Sequence, residues 1–431
     1  MSTVCSNKLG WVVDACSLID RWYSPCVRFK DSQKSHVKCR FKKQYFRILK
    51  SYYNVRADAA VDGGNIETLQ ETSKLSKKRK RKHNELNQGE LDSQAFHEKI
   101  RSAIMEGTKS LVDSARSLGH LNGETDPVKE PLPSHECGLA ALCEMAKELP
   151  LVDEDEEEEQ GERVQSLVAE DGCTSHLDLF SRVTENREDC ATVVTLMGED
   201  YVIPAQTAFL LSDFTRIEPL VHYGSRFGLI VIDPPWENKS VKRSRRYTSL
   251  PSTQLKRLPI PQLASSNSLV VTWVTNRPSH LRFVRDELYP HWGVEVVAEW
   301  FWVKVTTSGQ FVFPLDSHHK KPYEVLVLGR YRSPADEATG WSPVPVEDHR
   351  LIVSVPSALH SQKPSLSEVL KPYIEPQTKC LELFARNLQP GWTSWGNEVL
   401  KFQHSSYFTF TNDEEEIHQD ETPNSTAFSK Q

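Results

Sequence analysis

Phe-Gly-Leu-Ile-Val-Ile-Asp-Pro-Pro-Trp, residues 227–236, holds a strand and the turn that ends it. Phe227 to Ile232 carries no polar side chain. Unbroken apolar runs of this length fit a parallel strand covered on both faces. Two prolines follow at once; they cannot donate to a ladder, so the strand stops. Asp233 then stands at the strand's carboxyl edge, where open α/β sheets bind ligands. The stiff turn offers a carboxylate, carbonyls with few N–H donors, and the indole of Trp236. That set suits a flat ring bearing an NH2 group, such as adenine.

Outward from this strand, the pattern from about residue 195 alternates short Val, Ile, Leu and aromatic runs with helical stretches. Such βα alternation predicts an α/β domain with a mostly parallel sheet flanked by helices. Strands are expected at Phe227–Ile232, Ser268–Val274, Val294–Val305, Glu324–Gly329, Arg350–Val355 and Lys379–Phe384. Helices are expected at Ser252–Arg257, Ser279–Tyr289 and Ser365–Tyr373.

Upstream, residues 1–70 form a region of uncertain fold, and 71–90 a polar linker holding the run Lys77 to Lys82. Residues 91–194 read as mainly helical. Asp92-Ser93 caps a helix carrying Phe96, Ile100, Ile104, Leu111 and Leu118, and further helices are expected at Gly138–Leu149 and Leu177–Val183. These helices are expected to pack a small core of their own. An acidic disordered loop lies around 151–163, with Asp153 to Glu159 wholly acidic; residues 195–405 form the catalytic domain and 406–431 an acidic disordered tail.

The 431 residues allow two or three domains. No long uncharged apolar span is present, so no membrane helix is expected, and Asp14 interrupts the apolar start that a signal peptide would need. Nine cysteines without a CxxC spacing fit a reduced compartment, not a disulfide framework or zinc site. Adjacent His318 and His319 lack suitably spaced co-ligands, so no metal is expected. The net charge of -7 says little about partners, because basic and acidic residues are clustered.

The chemistry follows from the turn. The lone pair of adenine N6 is delocalised, so the amine is a poor nucleophile. The Asp233 carboxylate and the Pro234 carbonyl can accept its two N–H groups and favour the cationic state reached as a methyl group arrives. Trp236 can stack on the base. Asp233, Pro234, Pro235 and Trp236 are the candidate catalytic residues. Lys239, Lys242, Arg243, Arg245 and Arg246 follow directly. Five cations beside the pocket suit the phosphates of a polynucleotide, which a free nucleoside would not require. Asn238 and Tyr247 can add hydrogen bonding or stacking.

Asp-Pro-Pro-Trp after an apolar strand resembles the MT-A (seventy-kilodalton) family of S-adenosylmethionine-dependent adenine N6-methyltransferases, within it the methyltransferase-like protein four branch. Val271-Thr-Trp-Val-Thr-Asn-Arg, Lys320-Lys-Pro-Tyr-Glu and the stretch Glu382 to Glu398 carry the same likeness, which covers residues 200–405. The resemblance implies a Rossmann-like methyltransferase domain with permuted motif order, the amine-binding motif preceding the cofactor segment. It implies S-adenosylmethionine as cofactor, S-adenosylhomocysteine as product, and no metal. It further implies a cofactor pocket lined by Glu382, Phe384, Arg386, Asn387, Asn397 and Glu398, with Asp233, Asp213, Phe214 and Lys363 adding contacts. From residue chemistry alone, Lys363 is equally a solvated loop lysine.

The expected partner is nucleic acid. The likeness favours RNA, specifically a 2′-O-methylated adenosine of a small nuclear RNA, with DNA adenine as the alternative. A non-catalytic RNA-binding adaptor of the same fold is the other reading. Lys77–Lys82 resembles a nuclear import signal, which places the protein in the nucleus and is compatible with a further cytoplasmic pool. A monomer is compatible with the sequence.

Overall fold

A computed structural model describes residues 2–30, 33–52, 88–123, 164–168, 177–196, 198–237, 250–317, 320–333 and 343–411. The runs Lys77–Lys82 and Asp153–Glu159, the expected helix Gly138–Leu149, the segment Asn238–Tyr247, His318 and His319, and residues 412–431 lie outside these.

In chain order the first strands are β1 (Thr3–Asn7), β2 (Gly10–Val13), β3 (Cys26–Lys30), β4 (Gln33–Phe41), β5 (Val164–Ser166) and β6 (Val183–Asn186). Next come β7 (Ala191–Leu196), β8 (Glu199–Ile203), β9 (Thr207–Leu210), β10 (Phe227–Ile232), β11 (Ala264–Val274) and β12 (Val294–Lys304). The last are β13 (Tyr323–Tyr331), β14 (Leu351–Ser354), β15 (Cys380–Leu383), β16 (Trp392–Trp395) and β17 (Phe408–Thr411).

Twelve strands form one sheet in the order β1-β2-β14-β12-β13-β11-β10-β15-β16-β9-β6-β5. Its centre, β11-β10-β15-β16-β9, is all parallel. β13 runs antiparallel between β11 and β12. The α/β fold with a mixed, mostly parallel sheet therefore stands as expected.

β10 occupies the predicted residues. Phe227, Ile230 and Ile232 enter the core on one face, and Leu229 and Val231 the core on the other. Two-sided burial explains the unbroken apolar run, each fully buried side chain stabilising by about 1.5–3 kcal/mol.

The N-terminal half departs from expectation in its packing. Helical elements are present there: α1 (Ala15–Trp22) and α2 (Gln88–Ser117). The apolar stripe of α2, Ile100, Ile104, Leu111, Val112 and Ala115, does not build a separate core but joins that of the large sheet. A single amphipathic helix cannot bury its own stripe, and the sheet end at β1, β2 and β14 offers the matching face. β2 pairs in parallel with β14, so residues before α1 extend the sheet. Leu177–Val183 is not helical: the Asp178 carboxylate accepts the N–H groups of Phe180 and Ser181 in a turn, and β6 starts at Val183.

Three expected helices are modified. Ser252–Arg257 is a 3-10 helix. Pro278–Phe283 is α-helical, Val284–Leu288 widens to a π turn, and Tyr289–Trp292 returns to α. Pro290 explains the widening, since its ring crowds the carbonyl of the preceding turn. Pro372 similarly shortens the expected helix at 365–373 to Ser367–Leu370 and a 3-10 turn at Lys371–Tyr373.

A second sheet, β17-β4-β3-β7-β8, joins residues from both ends of the described chain. Tyr23, Cys26, Cys39, Phe41, Phe402 and Phe408 fill its core.

Candidate active site

β10 and β15 are parallel neighbours in register, Ile232 beside Leu383. From β10 the chain crosses to β11 on one side; from β15 it crosses to β16 on the other. Oppositely directed connections open a crevice at the carboxyl ends of this strand pair, the switch point at which α/β sheets bind ligands. Asp233 enters it from β10 and Phe384 from β15, and the Asp233 N–H donates to the Leu383 carbonyl at 3.2 Å.

Asp233 is 6% exposed. Its Oδ2 accepts from Arg386 Nη1 at 2.6 Å, and its Oδ1 lies 3.6 Å from Lys363 Nζ. Arg386 Nε donates to Glu398 at 3.0 Å, and Lys401 donates to the other oxygen of Glu398 at 2.8 Å. Lys363 donates to Glu324 at 2.7 Å, and Glu324 also accepts from Lys304. A row of alternating charges, Lys304, Glu324, Lys363, Asp233, Arg386, Glu398 and Lys401, thus crosses the mouth of the crevice.

Burial opposes the charge of Lys363, but the Asp233 and Glu324 carboxylates outweigh it and hold the ammonium above the usual lysine range. Burial likewise opposes ionised Glu324 and Glu398. Lys304 and Lys363 hold the first well below the usual carboxylate range, and Arg386 with Lys401 hold the second below it. Lys363 is therefore a partly buried, doubly paired member of the charge row rather than a solvated loop lysine.

Glu382 behaves oppositely. Burial pushes its carboxyl up to about 7, with the Asp233 charge adding to the shift. Gln389 donates to its Oε2 at 2.9 Å and accepts from Ser365 at 2.5 Å. Its other oxygen makes no hydrogen bond among the described residues, and on β16 beside it the buried Ser394 hydroxyl has no partner there either.

The β15 exit lacks a glycine-rich loop, yet Phe384 takes φ 59°, the left-handed region. Gly396 lets the β16 exit approach: a Cβ there would meet the Ala385 carbonyl oxygen at 3.1 Å. Phe214, beyond β9, stacks on Phe384 with ring centroids 6.2 Å apart. Asp213 accepts from the Thr215 N–H at 3.1 Å. Asn387 and Asn397 are half-buried on the segments that leave β15 and β16. The structure thus gathers Asp213, Phe214, Asp233, Lys363, Glu382, Phe384, Arg386, Asn387, Asn397 and Glu398 around one sheet edge.

Trp236 is placed otherwise than as an open stacking platform. It is 4% exposed, donates from Nε1 to the Trp273 carbonyl at 2.8 Å, and packs against His280 with centroids 4.7 Å apart. Burial, with Arg277 nearby, lowers the His280 pKa to about 4, so a neutral imidazole covers the indole. The Pro234 carbonyl accepts the Trp236 N–H at 2.8 Å, and the Pro235 carbonyl that of Leu250 at 3.0 Å. Trp236 is a wall that fixes the turn.

Sequence reasoning missed Lys304 and His280, and used Glu324 and Gln389 only as part of the family likeness. A lysine ending the aromatic strand Trp300-Phe-Trp-Val-Lys304 was a readable signal for a buried charge. His280 carried none, because only the fold brings it onto Trp236.

Residues 227–398 match the MT-A70 family. The chain is 54% identical to human N(6)-adenine-specific methyltransferase METTL4 over 343 residues, covering 78% of this chain and 71% of that protein. It is 37% identical to the N6-methyladenosine RNA methyltransferase MTA1 of Pyricularia oryzae over 230 residues, 51% of this chain and 60% of that protein. It is 35% identical to a Caenorhabditis elegans DNA N6-methyl methyltransferase over 214 residues, 49% of this chain and 56% of that protein. With the motif order, the switch-point site and these identities agreeing, the chain belongs to the MT-A70 family, on the branch of the METTL4 proteins.

Proposed function

We propose that this chain transfers a methyl group from S-adenosylmethionine to N6 of adenine in a nucleic acid, with RNA as the preferred substrate. The observation that carries the reading is the Asp233 carboxylate, buried at the switch point and held by Arg386 and Lys363. The crevice fits the cofactor. The half-used Glu382 carboxyl and the unpartnered Ser394 hydroxyl suit ribose hydroxyls, and the alternating charges suit the zwitterionic amino-acid end. Arg386, Glu398, Asn387 and Asn397 would hold it with Glu382 and Lys363, while Phe214 and Phe384 would wall its base. When bound there, S-adenosylmethionine supplies an electrophilic methyl group.

The chain's own residues position the amine. Arg386 occupies Asp233 Oδ2 at 2.6 Å, so Oδ1, with Lys363 at 3.6 Å, is the less committed acceptor. The Pro234 carbonyl keeps a second lone pair beyond the Trp236 N–H. Together they accept the two N6 protons and aim the amine. Trp236, pinned by Trp273 and His280, keeps both acceptors from swinging away. The rate gain comes from orientation and from fixed charge in a buried site, not from a strong base.

The family likeness favours a 2′-O-methylated adenosine of small nuclear RNA. The run Lys77–Lys82 favours a nuclear setting, and the cationic segment Lys239–Arg246 a polynucleotide over a nucleoside. The name of the nematode relative supports DNA adenine as the second reading. Full-length protein with labelled cofactor, incubated with RNA, 2′-O-methylated RNA and DNA oligomers, followed by nucleoside mass spectrometry, discriminates them. N6-methylated adenosine from wild type and none from Asp233→Asn is the expected result. No N6-methylated product from any oligomer, or equal product from the variant, refutes the reading.

A further inference from the structure

Residues 33–52 hold seven lysines and arginines and no aspartate or glutamate, in a chain of net charge -7. Lys34 is tied to Glu188 at 2.6 Å, whereas exposed Lys43 and Lys50 have no ion pair among the described residues. The segment is anchored along its length by backbone hydrogen bonds. The Lys42 N–H donates to the Tyr407 carbonyl at 2.9 Å, the Thr307 N–H to that of Ile48 at 2.9 Å, and the Tyr52 N–H to that of Val312 at 2.9 Å. The Ala358 N–H donates to the Tyr45 carbonyl at 2.6 Å, so the strip backs directly onto the loop that delivers Lys363.

Beside the strip lies a cavity of about 310 Å³ at the carboxyl ends of β2 and β14, the sheet edge that also carries Asp233. Lys43 and Arg47 stand on its rim together with Asp14, and Val13 and Leu121 add an apolar side. β14 and β10 are four strand spacings apart in the sheet order. At roughly 4.8 Å per spacing, the cavity lies about 19 Å from Asp233 along the edge. One nucleotide cannot bridge that span; a short single strand can. We infer that this strip and cavity bind single-stranded nucleic acid flanking the target adenine, with phosphates on Lys43 and Lys50 and a base in the recess beside Leu121. Exposed lysines such as Lys43 and Lys50 near an apolar recess suit a polyanion whose bases need a dry face. The inference rests on the proposed function and deepens it, by giving the N-terminal region a share of substrate binding.

Steady-state transfer to single-stranded RNAs of three and twelve nucleotides, each with one central adenosine, tests it alongside fluorescence anisotropy of the same oligomers. Wild type should show a KM for the longer strand lower by about tenfold, the loss that a few phosphate contacts produce. The double variant Lys43→Gln/Lys50→Gln should lose most of that advantage while keeping kcat and the trinucleotide KM. Its slope of log affinity against log salt should fall by about 1.4, or ~0.7 for each lost single-strand phosphate contact. Lys371→Gln, an exposed lysine elsewhere, should behave as wild type. A double variant with unchanged length dependence and salt slope overturns the inference. So does a wild type that methylates both lengths equally well, which leaves the proposed function standing. Tight salt-dependent binding with no transfer at all would instead count against the proposed function.

Discussion

Removing Arg386 is the most informative perturbation of the charge row. Its guanidinium is 8% exposed and serves two carboxylates at once, Asp233 at 2.6 Å and Glu398 at 3.0 Å. A unit charge pair with charge centres about 4 Å apart is worth about 4 kcal/mol at an effective dielectric near 20. Breaking a buried pair costs roughly 3–5 kcal/mol, because the remaining charge stays desolvated. In Arg386→Gln, Lys401 still holds Glu398 and Lys363 still lies 3.6 Å from Asp233, which moves the expected loss to about 3 kcal/mol, the lower end of that range. Urea unfolding of Arg386→Gln, Asp233→Asn and the double variant closes a cycle. The coupling between the two positions should be at least about 1.5 kcal/mol, since they share one contact. Arg386→Lys keeps the charge but cannot reach both carboxylates in one geometry, so it should recover part of the stability and little of the methyl transfer. A coupling near zero, or an Arg386→Gln variant as stable as wild type, would mean that the arginine does not hold Asp233 in solution.

Three further outcomes follow from the structure. Burial holds the proton on Glu382 up to about 7 in the folded chain, above the usual carboxylate range, so folding is penalised progressively as pH rises from that range to about 7. Glu382→Gln should therefore gain on wild type in thermal stability between pH 5 and 8, by at most about 3 kcal/mol, and a pH-independent difference would refute the assignment. Gly10 has φ 150°, and a Cβ there would stand 1.9 Å from the Leu351 carbonyl oxygen. Gly10→Ala should cost about 3 kcal/mol or more in urea melts by prising β2 from β14; a loss under about 1 kcal/mol would show that the pairing relaxes freely. His97, 2% exposed on α2, hydrogen-bonds Tyr323 at 3.0 Å and stacks on its ring. His97→Ala should lower stability by about 2 kcal/mol, whereas Arg101→Ala, which cuts only the exposed pair with Asp316, should cost under about 1 kcal/mol; the reverse ranking in calorimetry would contradict this.

The fold was legible where local pattern and burial coincide. β10 needs no partner to be read, because its six apolar residues and the following prolines set both ends. The β12 and β13 runs, rich in Val and aromatics, were readable for the same reason. β1 and β2 were not: they are short, and only pairing with β14 makes strands of them. The docking of α2 was hidden too, since an amphipathic stripe states that a face is buried but not against what. In the site, Asp233 was legible from its place after a strand. Glu382 and Arg386 were legible only through family likeness, and the link from Lys304 through Glu324 to Lys363 not at all. Charges that far apart in sequence meet because β12 pairs with β13 and the chain leaving β14, beside β12, brings Lys363 to them.

Placing β15 between β10 and β16 also sets a schedule for biosynthesis. β11 follows β10 closely off the ribosome, but the strand that seals its other side arrives only after residue 379. Until then the wholly apolar strand β10 has an open edge in any nascent chain that has begun to pair. A stalled or truncated product ending before residue 380 would carry Asp233 without Arg386 and an edge ready to pair with a neighbour. Such fragments are expected to be chaperone clients and to aggregate when chaperones are limiting.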